Sequence, residues 1–327
     1  MKFSLSELKI KTIELLEKSF SQADAARIGE YLIWAEMSGY KTQGILKLTG
    51  TEPLQNIKPK HALIRERDTK LSQLINAGAH PAPLASQMAT DVVIEKAKQH
   101  GFAIVGVHNT YSSNGAQAFC VERIARQDLI GIAVSRSPGS TCAFDSIDPV
   151  FGTNPMGIAF PTTEHPLVFD MATSAMTYYG LILAKARGEE IPDNMAIDSD
   201  GNITKDPATA MTGALLPFDR SYKSSGIGMV VEILAGPLAS SAFCDFKTFD
   251  QEWGSTFIAI DPGLLVDSKT FKSNCSALIE KIRTSRRRPG VGKIRLPGDR
   301  AHEAREEVEK QGVVEIDRAI LAQLGFL

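Results

Sequence analysis

Apolar residues recur at helical spacing through the first hundred positions. Leu5, Leu8, Ile10, Ile13, Leu15 and Leu16 predict a helix over residues 5–20, capped by Ser4 or Ser6. The pattern repeats over residues 22–37, from near Asp24 to just before Gly39. A polar turn, Gly39–Gly44, leads to a short helical or extended segment, Ile45–Leu48, and a proline-containing loop at 51–60. Residues 68–75 predict a strand or short helix. Residues 84–99 predict a helix with Met88, Val92, Val93, Ile94 and Ala97 inward, running into Gly101.

From Gly101 the texture changes. Phe102–Val107 reads as a buried strand, His108–Gly115 as a polar loop, Ala116–Arg126 as a helix and Leu129–Val134 as a second strand. Two apolar runs, Met156–Phe160 and Leu167–Phe169, follow, joined by a loop between Pro161 and Pro166. A strand, loop, helix, strand order is a βαβ rhythm, which places ligands at strand ends. Polar residues gather there: Gly152-Thr153-Asn154-Pro155 before the first run and Asp170–Ser174 after the second. A carboxylate and hydroxyls at the end of a buried strand are costly unless they bind something. The plainer alternative is that Asp170 and Ser174 cap the next helix, over 175–187. Residues 193–207 predict a turn-rich surface loop. A polar loop, Leu215–Gly226, then opens into an apolar helix, Ile227–Ala239. Lys223 ahead of that helix suits an anion, or Ser224 or Ser225 simply caps it. A strand at Phe257–Ile260, a helix over 268–284, a basic run at Arg286–Arg288 and a helical tail over 301–325 close the chain.

Composition narrows the class. The 327 residues are 43% hydrophobic and 23% charged, an ordinary globular balance with room for two domains. A formal net charge of −2 argues against a polyanionic partner such as nucleic acid. No apolar run has bilayer-spanning length, and MKFSLSELKIKTIELL lacks a signal-peptide core. Cys120, Cys142, Cys244 and Cys275 are widely spaced with no CxxC pair. A reducing, cytoplasmic setting without a metal site is therefore expected. The dinucleotide fingerprint fails, since Gly226-Ile227-Gly228 continues Met229-Val230-Val231, and no Walker loop, HExxH or GxSxG occurs.

Six stretches carry a resemblance. FGTNP (Phe151–Pro155), LVFDMATS (Leu167–Ser174), ALLPFDRSYK (Ala214–Lys223), VEILAGPL (Val231–Leu238), FIAIDP (Phe257–Pro262) and LPGD (Leu296–Asp299) are similar, in order and rough spacing, to the type-2 malate/L-lactate dehydrogenase family. That family includes ureidoglycolate dehydrogenases, sulfolactate dehydrogenases and Δ1-piperideine-2-carboxylate reductases. The resemblance implies an α/β fold other than Rossmann, like that of L-sulfolactate dehydrogenase. Its NAD(P)-binding domain, with a mixed sheet, would span residues 101–264, and a helical, substrate-side domain would form from residues 1–100 and 265–327. It also implies NAD or NADP as cofactor, hydride transfer on small 2-hydroxy, 2-oxo or 2-imino acids, and a homodimer. The family's cofactor contacts fall on Ser137, Asp170, Met171, Ala172, Thr173, Lys223, Pro297 and Gly298; Gln43, Tyr111 and Thr153 fall on the substrate side.

Departures from the family pattern shape the chemistry. The first family loop commonly reads SHG, and here it is Thr42-Gln43-Gly44. The second carries a histidine in an HFG-like motif, and here that place falls on Ser112 or Ser113. Both usual histidines are absent, so the pocket is expected to lack an imidazole. His108 lies nearby at a strand end and reads as structural. Hydride addition to a ketone develops an alkoxide that needs a proton donor, for which a serine without a base is poor. A protonated cyclic imine is already activated by its positive nitrogen. The expected substrate is thus a cyclic 2-imino acid such as Δ1-piperideine- or Δ1-pyrroline-2-carboxylate. Lys47 or Arg136 would bind its carboxylate, Tyr111 or Tyr178 would donate any proton needed, and Ser112, Ser113 and Asp170 would complete the site. The alternatives are a malate-, lactate- or ureidoglycolate-type dehydrogenase using His108 or Lys47 as acid/base, and a cofactor-binding protein that has lost catalysis.

Overall fold

The computed structural model describes residues 1–49, 53–113, 115–244 and 253–327. Residues 51 and 52 of the 51–60 loop and Asn114 of the 108–115 loop lie outside them. A short strand, β1 (Lys2–Ser4), precedes α1 (Leu5–Glu17), whose cap is Ser4: its Oγ accepts the Glu7 N–H at 3.4 Å. α2 (Gln22–Met37) is capped in the same way by Ser21, and 3₁₀ turns follow at Lys41–Gln43 and Ile45–Leu48. Next come β2 (Ile64–Asp68), β3 (Ser72–Asn76), α3 (Ala82–His100), β4 (Phe102–Thr110), α4 (Gln117–Ala125), β5 (Ile130–Arg136), β6 (Met156–Phe160) and β7 (Leu167–Met171). After them run α5 (Tyr178–Arg187), β8 (Ala196–Ile197), β9 (Ile203–Thr204), α6 (Pro207–Ala210), β10 (Ala214–Leu215) and α7 (Tyr222–Ala235). The last elements are β11 (Trp253–Ile260), α8 (Ser268–Arg283), α9 (Asp299–Gln311), β12 (Val313–Glu315) and α10 (Arg318–Leu324).

The central sheet has the order β2-β3-β4-β11-β5-β6-β7. Only β3 and β4 pair in parallel; the other neighbours are antiparallel. β11, from late in the chain, is inserted between β4 and β5. Those two strands therefore run the same way without touching, and the local βαβ rhythm does not become a Rossmann sheet. This is the expected mixed sheet. β1 and β12 pair antiparallel, Lys2 opposite Glu315, which binds the two ends of the chain into one helical lobe. Leu8, Leu16, Ile28 and Leu32 of that lobe share a continuous core with Val105, Phe257 and Ala259 of the sheet.

Several local expectations change. Residues 64–76 form two strands that extend the central sheet, because Leu74 and Ile75 register against Gly106 and Val107. Residues 193–207 are not merely a surface loop: β8, β9 and β10 form a small sheet over buried Ala196, Ile197 and Leu215. β4 continues through His108 to Thr110, so the polar loop is shorter than its sequence suggests. The α7 cap is Ser221, not Ser224 or Ser225, and the helix starts five residues before Ile227, at Tyr222.

One long-range bond joins the helical lobe to the sheet. Tyr31 of α2 is 2% exposed, sits edge-on to Phe119 with ring centres 5.3 Å apart, and accepts the Ala116 N–H on its hydroxyl at 2.7 Å. Replacing Tyr31 by Phe keeps the ring and orphans a buried N–H. The expected loss is about 1–3 kcal/mol of unfolding free energy, read from denaturant midpoints. Unchanged midpoints would show that this bond does not help to hold the lobes together.

Candidate active site

The site is built around the start of α4. Ala116, at the N-cap position of that helix, supplies no side-chain cap. The first-turn donors are met from elsewhere: Tyr31 takes Ala116 N–H, and Asp170 Oδ2 takes Ala118 N–H at 2.9 Å. Asp170 comes from β7, where it registers opposite Gly157. It therefore does cap a helix, but α4 rather than the helix that follows it; α5 is capped by Thr177. Burial pushes the Asp170 carboxyl up to about 6, against the lowering pull of the Ala118 and Gln117 N–H groups.

Beyond Asp170 three loops close on one another. Thr173 N–H donates to Thr153 O at 2.9 Å, and Thr173 Oγ1 donates to Asn154 O at 3.1 Å. Phe218 N–H donates to Thr173 O at 3.0 Å, and Ser174 bridges to Pro217. Asn154, fully buried, donates from Nδ2 to Gly228 O of α7 and to Glu232, while its Oδ1 has no partner among the described residues. Thr153, Asp170–Thr173 and the loop leading to Lys223 are thus drawn into one region, with Met171 and Ala172 half-buried at the end of β7. Ser137 is buried beside Gly152, where a Cβ would come within 2.6 Å of Ser137 O. Lys223 lies exposed in the first turn of α7 with no side-chain partner among the described residues. Nothing lies within 4 Å of where a Gly226 Cβ would be.

On the other side of α4, the two loops that lack the family histidines meet. Ser113 Oγ donates to Gln43 Oε1 at 3.4 Å. Ser112 adopts a positive φ of 74°, and its buried Oγ has no hydrogen-bond partner among the described residues. Lys47 follows in the second 3₁₀ turn. It is half-buried, and desolvation pushes its ammonium down to about 8. Tyr111 is half-buried and pairs through its backbone with His80 and Ala82. His108 Nε2 lies 2.8 Å from Glu66 at the β2–β3 edge of the sheet. Arg136 is not available to a substrate carboxylate: it is buried 3.3 Å from Glu232 Oε1. Tyr178 is exposed at the start of α5.

A cleft of about 290 Å³ lies between α2, α4, β7, α8 and α9. Pro297 and Gly298 line it, with Tyr40, Ala118 and Val168. Gly298 takes φ +87°, and a Cβ there would meet Val168 O at 3.0 Å, so the LPGD turn needs glycine to lie against β7. Asp299 Oδ2 closes that turn by accepting Leu296 N–H at 2.8 Å. The cleft, which Gln43, Ser112, Lys47 and Thr153 do not line, also holds two imidazoles, His165 and His302. They sit toward the Pro297 end: His165 is five residues before Asp170, about 15 Å along an extended chain.

Sequence reading missed several of these groups. Tyr31, Glu36 and Tyr40 sit within or just after α2, where their spacing resembles core. Glu36 is 4% exposed, and burial pushes its carboxyl up to about 7, with Lys41 lowering it. A Cβ on Gly44 would sit 2.7 Å from Glu36 Oε2, so this glycine is what lets the carboxylate lie under the Gln43 loop. An acid on the inward face of an otherwise apolar helix was the available signal.

Asp170 gives a pH test. A carboxyl whose pKa is raised on folding, here from 3.8 to about 6, holds its proton more tightly when folded. Its contribution to stability is complete below pH 3.8 and is lost as pH rises through about 6, on the order of 3 kcal/mol in all. Asp170→Asn keeps an acceptor for Ala118 N–H and removes the titration. The wild-type-minus-variant difference in unfolding free energy should fall across pH 4–7 by that amount, and activity should drop. A flat difference would place the ionised carboxylate in a better-solvated setting.

Comparison with known proteins agrees with this geometry. The malate/L-lactate dehydrogenase family matches residues 3–325. The L-sulfolactate dehydrogenase of Methanothermobacter thermautotrophicus is 29% identical over 306 residues, covering 90% of this chain and 86% of that protein. The Δ1-pyrroline-2-carboxylate/Δ1-piperideine-2-carboxylate reductase of Pseudomonas putida is 33% identical over 250 residues, covering 72% and 69%. The crystal structure of Δ1-piperideine-2-carboxylate reductase from Pseudomonas syringae pvar. tomato superposes with a TM-score of 0.85 at 27% identity, covering 99% of this chain and 98% of that one. With its mixed sheet, terminal lobe and whole-length match, the chain belongs to the malate/L-lactate dehydrogenase family, whose members are NAD(P)-dependent dehydrogenases and reductases.

Proposed function

We propose that this enzyme reduces a small cyclic 2-imino acid, such as Δ1-piperideine- or Δ1-pyrroline-2-carboxylate, with NADH or NADPH. The observation that carries this reading is the chemistry of the paired loops: Gln43, Ser112 and Ser113 offer an amide and two hydroxyls, none titrating near neutrality. When bound, the nicotinamide supplies a hydride. The donor set suits such a dinucleotide: Lys223, without a side-chain partner among the described residues, at the start of α7, buried Ser137, the Met171–Thr173 strand end and the Pro297-Gly298 turn. In this reading Lys47 holds the substrate carboxylate and Tyr111 and Thr153 border the ring. Ser112 Oγ and Gln43 orient the imine nitrogen, which carries its proton on entry. Hydride arrival at C2 cancels that nitrogen's charge, so no acid is needed at the step. Asp170 holds the loop and α4 in place and keeps its carboxylate in the site.

A second reading, a 2-hydroxy-acid dehydrogenase, is favoured by two groups. Lys47 titrates near 8, and His80 lies one backbone hydrogen bond from Tyr111, with Nδ1 2.7 Å from Ala77 O. An NAD(P)H-oxidation panel of the two imines, pyruvate and oxaloacetate separates these readings. Imine activity should exceed keto-acid activity at least tenfold and be lost above the substrate imine's own pKa. Lys47→Met should raise KM more than it lowers kcat, and His80→Gln should leave imine reduction intact. Activity confined to keto acids, with a Lys47- or His80-dependent pH limb, would overturn the proposal. Tight NAD(P)H binding without turnover would instead favour lost catalysis.

We place the enzyme as a homodimer in a reducing, cytoplasmic setting. Tyr222, Met229, Val230 and Ile233 are 68, 50, 55 and 52% exposed along one side of α7, at helical spacing. No disulfide joins Cys120, Cys142, Cys244 or Cys275. Light scattering should give twice the mass of one 35.5 kDa chain, and Ile233→Glu should shift it toward the monomer. A wild-type monomer would contradict the dimer.

A further inference from the structure

His165 and His302 stand outside the chemistry proposed above, yet they face each other across the mouth of the cleft. His165 is on the loop between β6 and β7, and His302 is on α9. Their ring centres are 3.7 Å apart, with the planes inclined at 43°. Glu306, one turn beyond His302 on the same helix, brings Oε1 to 3.2 Å from His302 Nε2. One ligand atom from each of the three residues falls within 4.8 Å of the other two. Nε2 of His302 is buried from solvent, and its contact with Glu306 is close but misaligned for a hydrogen bond, so it makes none among the described residues.

We propose that His165, His302 and Glu306 form a binding site for a divalent transition metal of the zinc type, which clamps the β6–β7 loop to α9. Two imidazoles and a carboxylate are a donor set such ions favour, and three protein ligands leave one position for solvent. In a tetrahedral site with metal–nitrogen bonds near 2.0 Å the ligand atoms lie about 3.3 Å apart. The His302–Glu306 pair is already at that spacing, so closing the site asks only that the His165 ring turn from its tilted pose against His302. A helix offering His and Glu four residues apart presents both on one side. The surrounding charge tolerates a cation. Arg305 is occupied by Glu122 at 2.9 Å, and Lys293 by Glu303. His165 and Glu306 are exposed, so an ion can enter from solvent.

The clamp would add a bond between the sheet and the helical lobe that does not depend on the identity of the substrate. The inference therefore stands or falls separately from the proposed reaction. The test uses the full chain, stripped of metal by chelation and free of any affinity tag. Zn2+ should bind at one equivalent by calorimetry and raise the melting temperature in a concentration-dependent way. Co2+ should give the visible absorption of a four-coordinate site without a thiolate charge-transfer band. His302→Ala and His165→Ala should each weaken binding by at least about tenfold. Glu306→Gln, at an exposed position that does not threaten folding, should do so as well, while His100→Ala should not. No binding, binding unaltered by these variants, or a thiolate signature pointing to the cysteines would each overturn the assignment.

Discussion

A half-buried carboxylate set against the first turn of a helix from another part of the chain organises this protein. Asp170 lies at the end of β7 and meets the Ala118 N–H, while Tyr31, from the terminal lobe, meets the Ala116 N–H two residues earlier. Helix starts leave such donors open, and a buried start must find acceptors. Here one acceptor comes from the sheet and one from the helical lobe. The α4 start is therefore where the two parts of the fold are held in register, and the loop leading into it carries Ser112 and Ser113.

This arrangement holds ionisable groups where solvation is poor. Desolvation raises Asp170 and Glu36 and lowers Lys47, so all three titrate within two units of neutrality. Unfavourable burial of this kind, gathered around one set of loops, is a common mark of a working site. Under the proposed reaction, the Ser112 hydroxyl and the Gln43 amide suit a substrate that arrives protonated. Ser112 Oγ and Asn154 Oδ1, both buried without partners among the described residues, leave hydrogen-bonding capacity for bound groups.

Much of the fold could be read from pattern. The helices at 22–37 and 84–99, and the strands at 102–107, 129–134 and 156–160, follow from apolar spacing, since each buries one side of itself locally. The insertion of β11 between β4 and β5 could not be read, because strand order is decided by long-range packing with no local signature. The same limit hid the cap that Asp170 provides, which local sequence assigned to the following helix. Gln43 and Ser113 could be paired only through the family pattern, being 70 residues apart. His165 and His302 were missed for a like reason: neither has a histidine neighbour in sequence, and their approach depends on α9 folding back over the β6–β7 loop.

The central claim is that the loops at Thr153, Asp170 and Lys223 seat a nicotinamide dinucleotide beside a substrate pocket served by Gln43 and Ser112 rather than by an imidazole. The most direct measurement is a crystal structure of the enzyme with NADPH or NADH and a non-reducible cyclic carboxylate. The account predicts a dinucleotide running between the start of α7 and the Pro297 turn, its nicotinamide against Met171–Thr173. It also predicts Ser112 or Gln43 within hydrogen-bond distance of the ring nitrogen. A dinucleotide bound away from those three loops, or a histidine side chain against the reacting carbon, would contradict it.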